Sequence, residues 1–190
     1  YGNSKLTIEN VLKDVFKSEP LEWRIASLRY FNPIGAHEFG LLGEDPIGKP
    51  NNIFPQIIKA AMGKLINIQI FGSDWPTPDG TGVRDYIHVM DLAEGHLSAL
   101  DYLINERPQI LTLNLGTGLG TSVLALINTF QEVNNINVPY SLKGRRDGDS
   151  AIVVADNSLA KSFLNWEPKT SFSELVQKMV DNDIKLLSNE

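Results

Sequence analysis

Tyr1 and Lys5 stand four residues apart. On a helix that spacing puts both on one face, about 6 Å apart along the axis. A tyrosine is a useful base only as phenolate. Its ordinary pKa is about 10, so work near pH 7 needs roughly 3 units of lowering, or about 4 kcal/mol. A neighbouring ammonium, here that of Lys5, supplies a field of the right sign. Taken alone, the pair is better read as an amphipathic helix with an incidental Tyr and Lys. A second set of charges has different chemistry. Arg84, Arg145 and Arg146 carry guanidinium forks that match phosphate oxygens, and Asp149 can accept from vicinal hydroxyls. By residue type, Arg84 equally fits a salt bridge to Asp85 or another carboxylate, and Arg145–Arg146 a solvated turn. His37, His88 and His96 have no metal-ligand spacing and read as structural hydrogen-bonders.

These residues need elements to place them. Residues 4–17 read as an amphipathic helix with Ile8, Val11, Leu12, Val15 and Phe16 at helical spacing, stopped by Pro20. Arg24 to Phe31 reads as a buried strand ended by Asn32-Pro33. The stretch 34–52 is rich in Gly, Pro and Asn and reads as a long functional loop. A short helix over 55–62 and a strand over 68–71 follow, then a loop over 72–82. Asp91 with Glu94 is a capping box for a helix whose apolar stripe is Ala93, Leu97, Leu100 and Ile104. A strand over 110–115 leads to a helix capped by Ser122. Short strands are expected over 138–142 and 151–155, and Ser171 with Glu174 opens a last helix. Strands alternating with helices indicate an α/β fold.

Composition excludes several classes. The chain has 190 residues, 42% hydrophobic and 21% charged, with a net charge of −6. It reads as one globular region with no general basic surface for nucleic acid. An anionic ligand must be held by a few placed cations. There is no cysteine, which removes disulfides and thiolate chemistry and fits a reducing cytoplasm. No apolar run reaches the ~18–20 residues of a membrane helix. The chain opens on Tyr1 and not on methionine, so it reads as part of a longer protein. Gly116-Thr117-Gly118-Leu119-Gly120 resembles a dinucleotide fingerprint, but Thr121 occupies the place of its last small residue, so it reads as a tight turn.

Five blocks, in order, carry a resemblance. Tyr1-Gly2-Asn3-Ser4-Lys5 resembles the YxxxK motif of the extended short-chain dehydrogenase/reductases. Leu28-Arg29-Tyr30-Phe31-Asn32-Pro33-Ile34-Gly35-Ala36-His37 resembles that branch's entry to the nucleotide-sugar site. The block from Gly80 to Leu92, through Val83-Arg84-Asp85-Tyr86-Ile87-His88, is similar to the UDP-glucose (UDP-galactose) 4-epimerases. Leu113-Asn114-Leu115-Gly116-Thr117-Gly118 and Arg145-Arg146-Asp147-Gly148-Asp149 agree. The resemblance covers essentially the whole chain. It implies a single C-terminal substrate-binding region over 1–190, with the last elements of a Rossmann-type parallel sheet. The N-terminal NAD-binding half lies outside the chain.

The resemblance assigns roles. Tyr1 is implied as the acid/base, and Lys5 as the residue that binds the nicotinamide ribose and lowers the tyrosine pKa. Phe31 lines the cofactor pocket and Asn32 donates to the diphosphate. Asn52 and Ile53 contact the sugar nucleotide. Gln69, Ile70 and Phe71 form a uracil slot. Arg84 and Arg146 hold the diphosphate, and Asp149 takes the ribose hydroxyls. Val153 occupies the place beside the sugar's C2 substituent, where a small residue admits an N-acetyl group. The implied activity is interconversion of UDP-glucose and UDP-galactose by reversible NAD-dependent oxidation at C4, in a cytoplasmic homodimer joined through the opening helix. UDP-N-acetylhexosamines are expected as secondary substrates. The isolated chain is expected to be inactive. A nucleotide-sugar dehydratase or decarboxylase, or a non-catalytic UDP-sugar-binding or dimerisation module, are the alternatives.

Overall fold

The computed structural model describes residues 2–37, 39, 44, 50 and 52–177. The chain opens with α1 (Gly2–Ser18), β1 (Arg24–Tyr30) and β2 (Asn32–Ile34), followed by α2 (Ile53–Ala61) and β3 (Ile68–Phe71). Next come β4 (Val83–Arg84), β5 (Tyr86–His88), α3 (Val89–Asn105) and β6 (Gln109–Leu115). Then come β7 (Thr121–Ser122), α4 (Val123–Asn134), β8 (Tyr140–Lys143), β9 (Ile152–Val153) and α5 (Ser158–Leu164). A further helical stretch covers 172–177. Tyr1 and most of residues 38–51 lie outside the described residues, and the long loop expected over 34–52 falls largely there. The alternation and the parallel pairing make this an α/β fold, as expected.

The strands join in small sets. β1 runs parallel to β6 over their full length, with Leu28 opposite Leu113. β2 runs parallel to β5 and β3 to β8. β4 is central to a three-stranded set, antiparallel to β7 and parallel to β9. Two cores result. One joins Phe54, Ile57 and Ile58 of α2, Ile68 and Ile70 of β3, and Leu126, Ile127 and Phe130 of α4. The other joins Leu111, Leu113 and Leu115 of β6 to Leu92 and Ala99 of α3, with Ala160, Leu164 and Trp166.

Two expectations about burial need correction. β1 was expected to be buried, yet its residues are half-buried or exposed. Among the described residues it pairs only with β6, so one edge has no strand beside it. The α3 stripe is also displaced. Leu97, Leu100 and Ile104 are 63%, 54% and 64% exposed, and Ala93 is exposed as well. The buried face carries Leu92, Gly95 and Ala99. Small residues win here because the helix lies close on β6 and Trp166. A Cβ at Gly95 would come within 3.1 Å of Leu115 Cδ1 and 3.2 Å of Trp166 Cε2.

The N-terminus of α3 differs too. His88 is the cap, its Nδ1 accepting from the Met90 amide at 3.1 Å. Asp91 lies inside the first turn. Its carboxylate accepts from the amides of Lys169 and Thr170 at 3.2 and 3.0 Å, tying the C-terminal segment to α3. Glu94 pairs with Lys169 Nζ at 2.9 Å. The capping box at the last helix is present as expected. The Glu174 amide donates to Ser171 Oγ at 3.3 Å and Glu174 Oε2 accepts from the Ser171 amide at 2.9 Å.

A charged contact ties α1 to β1. It buries Glu9 and leaves Leu6, Ile8 and Val11 exposed. Arg29 of β1 donates from Nε and Nη2 to the two Glu9 oxygens at 2.7 and 2.6 Å. The Arg29 hydrogen bond holds the Glu9 carboxyl below its usual 4.5. A lowered carboxylate pKa stabilises the fold above the unfolded value and loses that contribution as pH falls through the folded one. We therefore predict that Glu9→Gln is less stable than the parent at pH 7, by about 1 kcal/mol given the exposed guanidinium. The gap should close as the pH drops below about 4.5. Thermal denaturation of both proteins across pH 3 to 7 checks it, and a gap independent of pH contradicts it.

Candidate functional site

The segment from 79 to 86 builds the centre of the site. Asp85 is fully buried. Its Oδ1 accepts from the Thr117 amide at 2.9 Å and Thr117 Oγ1 at 2.6 Å. Its Oδ2 accepts from the amides of Gly118 at 2.9 Å and Ala155 at 3.1 Å. Its backbone carbonyl accepts from the Asn32 amide at 2.9 Å. One side chain thus gathers the 116–118 turn and the segment after β9, while its own backbone meets the start of β2. Gly116 has to be glycine, because a Cβ there would lie 2.5 Å from Ala155 Cβ and 2.7 Å from Asp85 Oδ2. The turn's amides at Thr117 and Gly118 are engaged by Asp85, which agrees with reading it as a tight turn.

With Asp85 taken up in this way, Arg84 is not its partner. Arg84 Nη1 donates to the Val83 carbonyl at 2.8 Å, and the residue makes no ion pair among the described residues. A half-buried guanidinium without a carboxylate is suited to an anion supplied from outside. A second network sets the N-terminus of α4. Ser122 Oγ accepts from the Ala125 amide at 3.1 Å, and Thr81 Oγ1 accepts from the Leu124 amide at 3.2 Å. Asp79 accepts from the Ser122 hydroxyl, and from the Thr81 hydroxyl at 2.7 Å. Burial raises the Asp79 pKa, but these hydrogen bonds outweigh it and leave the carboxyl below its ordinary value.

A cleft of about 800 Å³ opens beside Arg84. It runs from the carboxyl end of β1 past β2 to α2 and the carboxyl end of β3, the position at which open α/β sheets bind ligands. Lys5, Phe31, Asn32, Asn52, Ile53, Gln69, Ile70, Phe71, Arg84, Arg146 and Asp149 all line it. These come from six stretches of chain between residues 5 and 149. The Arg146 guanidinium lies 4.7 Å over the Phe71 ring and its Nε donates to Asp149 Oδ2 at 3.0 Å. Asn52 donates from Nδ2 to Glu44 Oε1 at 2.6 Å.

Two candidates stand apart. Tyr1 lies outside the described residues. Val153 is not among the lining residues; it is 40% exposed on β9, directly opposite Arg84 in the ladder. Two residues not singled out in the sequence also belong to this region. Trp75 and Tyr86 line the cleft, and burial pushes the Tyr86 phenol up to about 12. Arg145 is held by Asp74 through Nε at 2.8 Å and lies 3.9 Å over the Trp75 ring. Arg145 is thus exposed but held, by an acid 71 residues away in sequence and the ring beside it. His88 and His96 serve as structural hydrogen-bonders, as expected. His96 Nδ1 donates to the Leu92 carbonyl at 2.8 Å, which leaves Nε2 to accept from Tyr30 OH at 2.6 Å. Among the described residues no group of His, Asp or Glu is placed to hold a metal. No helix there is long and apolar enough to cross a membrane.

Parallel strands with helices beside them, opening a cleft at the strand ends, define an α/β protein with a ligand site in the usual place for that class. The chain belongs to the GDP-mannose 4,6 dehydratase family, whose model matches residues 1–179. It is 52% identical over 177 residues to UDP-glucose 4-epimerase of Pasteurella multocida, covering 93% of this chain and 52% of that protein. A solved structure of UDP-glucose 4-epimerase from Stenotrophomonas maltophila, with bound NAD and formylated UDP-arabinopyranose, superposes with a TM-score of 0.95 at 43% identity. The match covers all of this chain and 56% of that one. The UDP-Glc/GlcNAc 4-epimerase of Campylobacter jejuni superposes with a TM-score of 0.74 at 34% identity, over 98% of this chain and 55% of that one. The chain thus spans about half the length of the relatives it matches.

Because Asp85 holds the wall from which Arg84 projects, its removal should be felt widely. Asp85→Asn replaces one acceptor oxygen by an NH₂ that faces donors, leaving at least one buried amide unsatisfied. We predict a stability loss of roughly 1–3 kcal/mol in urea denaturation. A variant as stable as the parent contradicts this account of the wall.

Proposed function

We propose that the chain is the substrate-binding part of a UDP-glucose 4-epimerase, and that its cleft holds the nucleotide of UDP-glucose or UDP-galactose. One observation carries this reading. Phe71, Arg84 and the Arg146–Asp149 pair, from three separate stretches of sequence, converge on a single cleft that also contains Asn32 and Lys5. The cleft supplies an aromatic face for a base, two guanidinium groups for a diphosphate, and a carboxylate for ribose hydroxyls. In a protein of net charge −6 these cations are the specific attraction for an anionic ligand.

The same reading gives each residue its work. Arg84 and Arg146 neutralise the diphosphate, and Phe71 with Gln69 and Ile70 forms the base slot. Asn32 donates to the diphosphate, while Asn52 and Ile53 close the sugar-nucleotide side. Firm contacts at the nucleotide leave the hexose free to turn between the two faces that must react. Lys5 and Phe31, both in the cleft, fit the nicotinamide end of NAD, which when bound accepts and returns the hydride at C4. Lys5 lowers the pKa of Tyr1, and the Tyr1 phenolate takes the 4-hydroxyl proton and later gives it back. In the glycine-rich turn at 116–118 the amides of Thr117 and Gly118 are taken by Asp85. The chain by itself is therefore read as a weak binder of NAD and as inactive. A cytoplasmic homodimer is part of the same reading, with the exposed Leu6, Ile8 and Val11 of α1 as the contact.

In the full-length protein, Arg84→Ala and Arg146→Ala should each weaken UDP binding tenfold or more, since each removes a charge-assisted contact of about 1.5–3 kcal/mol. Tyr1→Phe should abolish turnover of UDP-galactose with little loss of UDP affinity. Calorimetry with UDP and a coupled turnover assay check the pattern. Unchanged UDP affinity in both arginine variants contradicts the clamp.

Val153 adds a prediction about breadth. Val153 does not itself line the cleft, but it lies opposite Arg84 in the ladder, and its small, stiff side chain leaves room beside that arginine. The full-length protein should then accept UDP-N-acetylglucosamine as a secondary substrate. Val153→Tyr should suppress that activity and spare UDP-glucose. Assays of both sugars on both proteins decide it, and no N-acetyl activity in the parent ends the idea.

A further inference from the structure

Arg145 and Trp75 carry no role in the reading above, yet they sit at the joint that sets two of its principal groups. The loop over 72–82 leaves the cleft at Phe71 and returns to it at Arg84. Its far end is anchored to the first turn of α4 through Asp79, Thr81 and Ser122. Its near end is organised by Trp75, whose amide donates to the Gly80 carbonyl at 3.0 Å. The Trp75 indole lies against Gly72. That glycine has a φ of +85°, and a Cβ there would be 2.2 Å from Trp75 Nε1. Gly72 in turn donates its amide to the Lys143 carbonyl at 3.0 Å. The loop thus folds onto the end of β8.

Arg145 completes that fold from the other side. Its Nε donates to Asp74 Oδ1 at 2.8 Å, its Nη2 to the Asp74 carbonyl at 2.6 Å, and its plane lies 3.9 Å over the Trp75 ring. The next residue, Arg146, lies 4.7 Å over Phe71 and donates to Asp149. Two adjacent arginines therefore cover two aromatic rings. The first has its fork taken by the loop, and the second faces the cleft.

We propose that Arg145 is a positioning residue, which latches the 72–82 loop through Asp74 and Trp75 and so fixes Arg146 and Phe71 in the geometry that receives the nucleotide. This rests on the reading of the cleft as a UDP-sugar site. The physical basis is preorganisation. An exposed ion pair alone contributes little, but a bidentate contact with a stacked ring removes loop and side-chain freedom that binding would otherwise have to remove. The planar fork is essential to it, so lysine cannot replace it.

The experiment compares the chain with Arg145→Met and Arg145→Lys. UDP and uridine are titrated by calorimetry, and amide hydrogen exchange is followed over residues 72–82. The latch predicts that both variants lose about tenfold in affinity for UDP and for uridine alike, because the base slot is disturbed together with the clamp. Exchange should accelerate at the Trp75 and Gly80 amides and not in α4 or β6. In the full-length protein KM should rise with kcat unchanged. A loss confined to UDP and restored by lysine would make Arg145 a direct phosphate ligand and overturn the proposal, as would unchanged affinity with unchanged exchange. If the unmodified chain binds no UDP, the reading of the cleft fails. Exchange then decides the latch separately: acceleration confined to 72–82 supports it, and no acceleration overturns it.

Discussion

A carboxylate buried without a cation has to be held by neutral donors, and Asp85 is held by four of them. Three are backbone amides and one is the Thr117 hydroxyl, contributed by two segments that are remote in sequence. A charge in that position tolerates no slack, because each missing donor leaves desolvation uncompensated. The 116–118 turn and the segment after β9 are therefore fixed to the β4–β5 junction. Arg84 precedes Asp85 directly, and Asn32 donates its amide to the Asp85 carbonyl. The geometry of the cleft wall follows from how this single acid is satisfied.

The same constraint explains how an acidic protein presents cations. Arg84 would sit next to a carboxylate in sequence, but that carboxylate is turned inward. Its guanidinium is left with one backbone carbonyl and an open cleft. Arg146 is offset by Asp149 and oriented by Phe71. Arg145, one residue earlier, is held by Asp74 and Trp75. Three arginines of identical chemistry thus take different places because of the acids and rings that surround them.

Much of the fold was legible in the sequence where a local signal was strong. Ser122 caps α4 and Ser171 with Glu174 forms a reciprocal box, because both signals act within one turn. β3 was legible from Ile68 to Phe71 because a β-rich run ends at glycine. The apolar stripe of α3 was not, because periodicity marks an apolar face without saying whether anything covers it. The buried face used Gly95 and Ala99, which carry little hydrophobic signal but allow close approach to β6. Asp91 read as a cap and is instead a tether for Lys169 and Thr170, a contact 78 residues away in sequence for the first of them. The strands β2, β4 and β5 are two or three residues long and have no period to read. For the site, motif order picked out the residues that line the cleft. The supporting acids Asp79 and Asp85 and the aromatic Trp75 act through tertiary contacts that no local pattern carries.

The central claim is that this cleft receives a uridine diphosphate with its base against Phe71 and its phosphates between Arg84 and Arg146. The most direct test is a crystal structure of the chain grown with saturating UDP. The account predicts density for the uracil over the Phe71 ring, with the diphosphate oxygens within hydrogen-bond distance of both guanidinium groups and the ribose hydroxyls at Asp149. UDP bound elsewhere, or an empty cleft at saturating concentration, would contradict it.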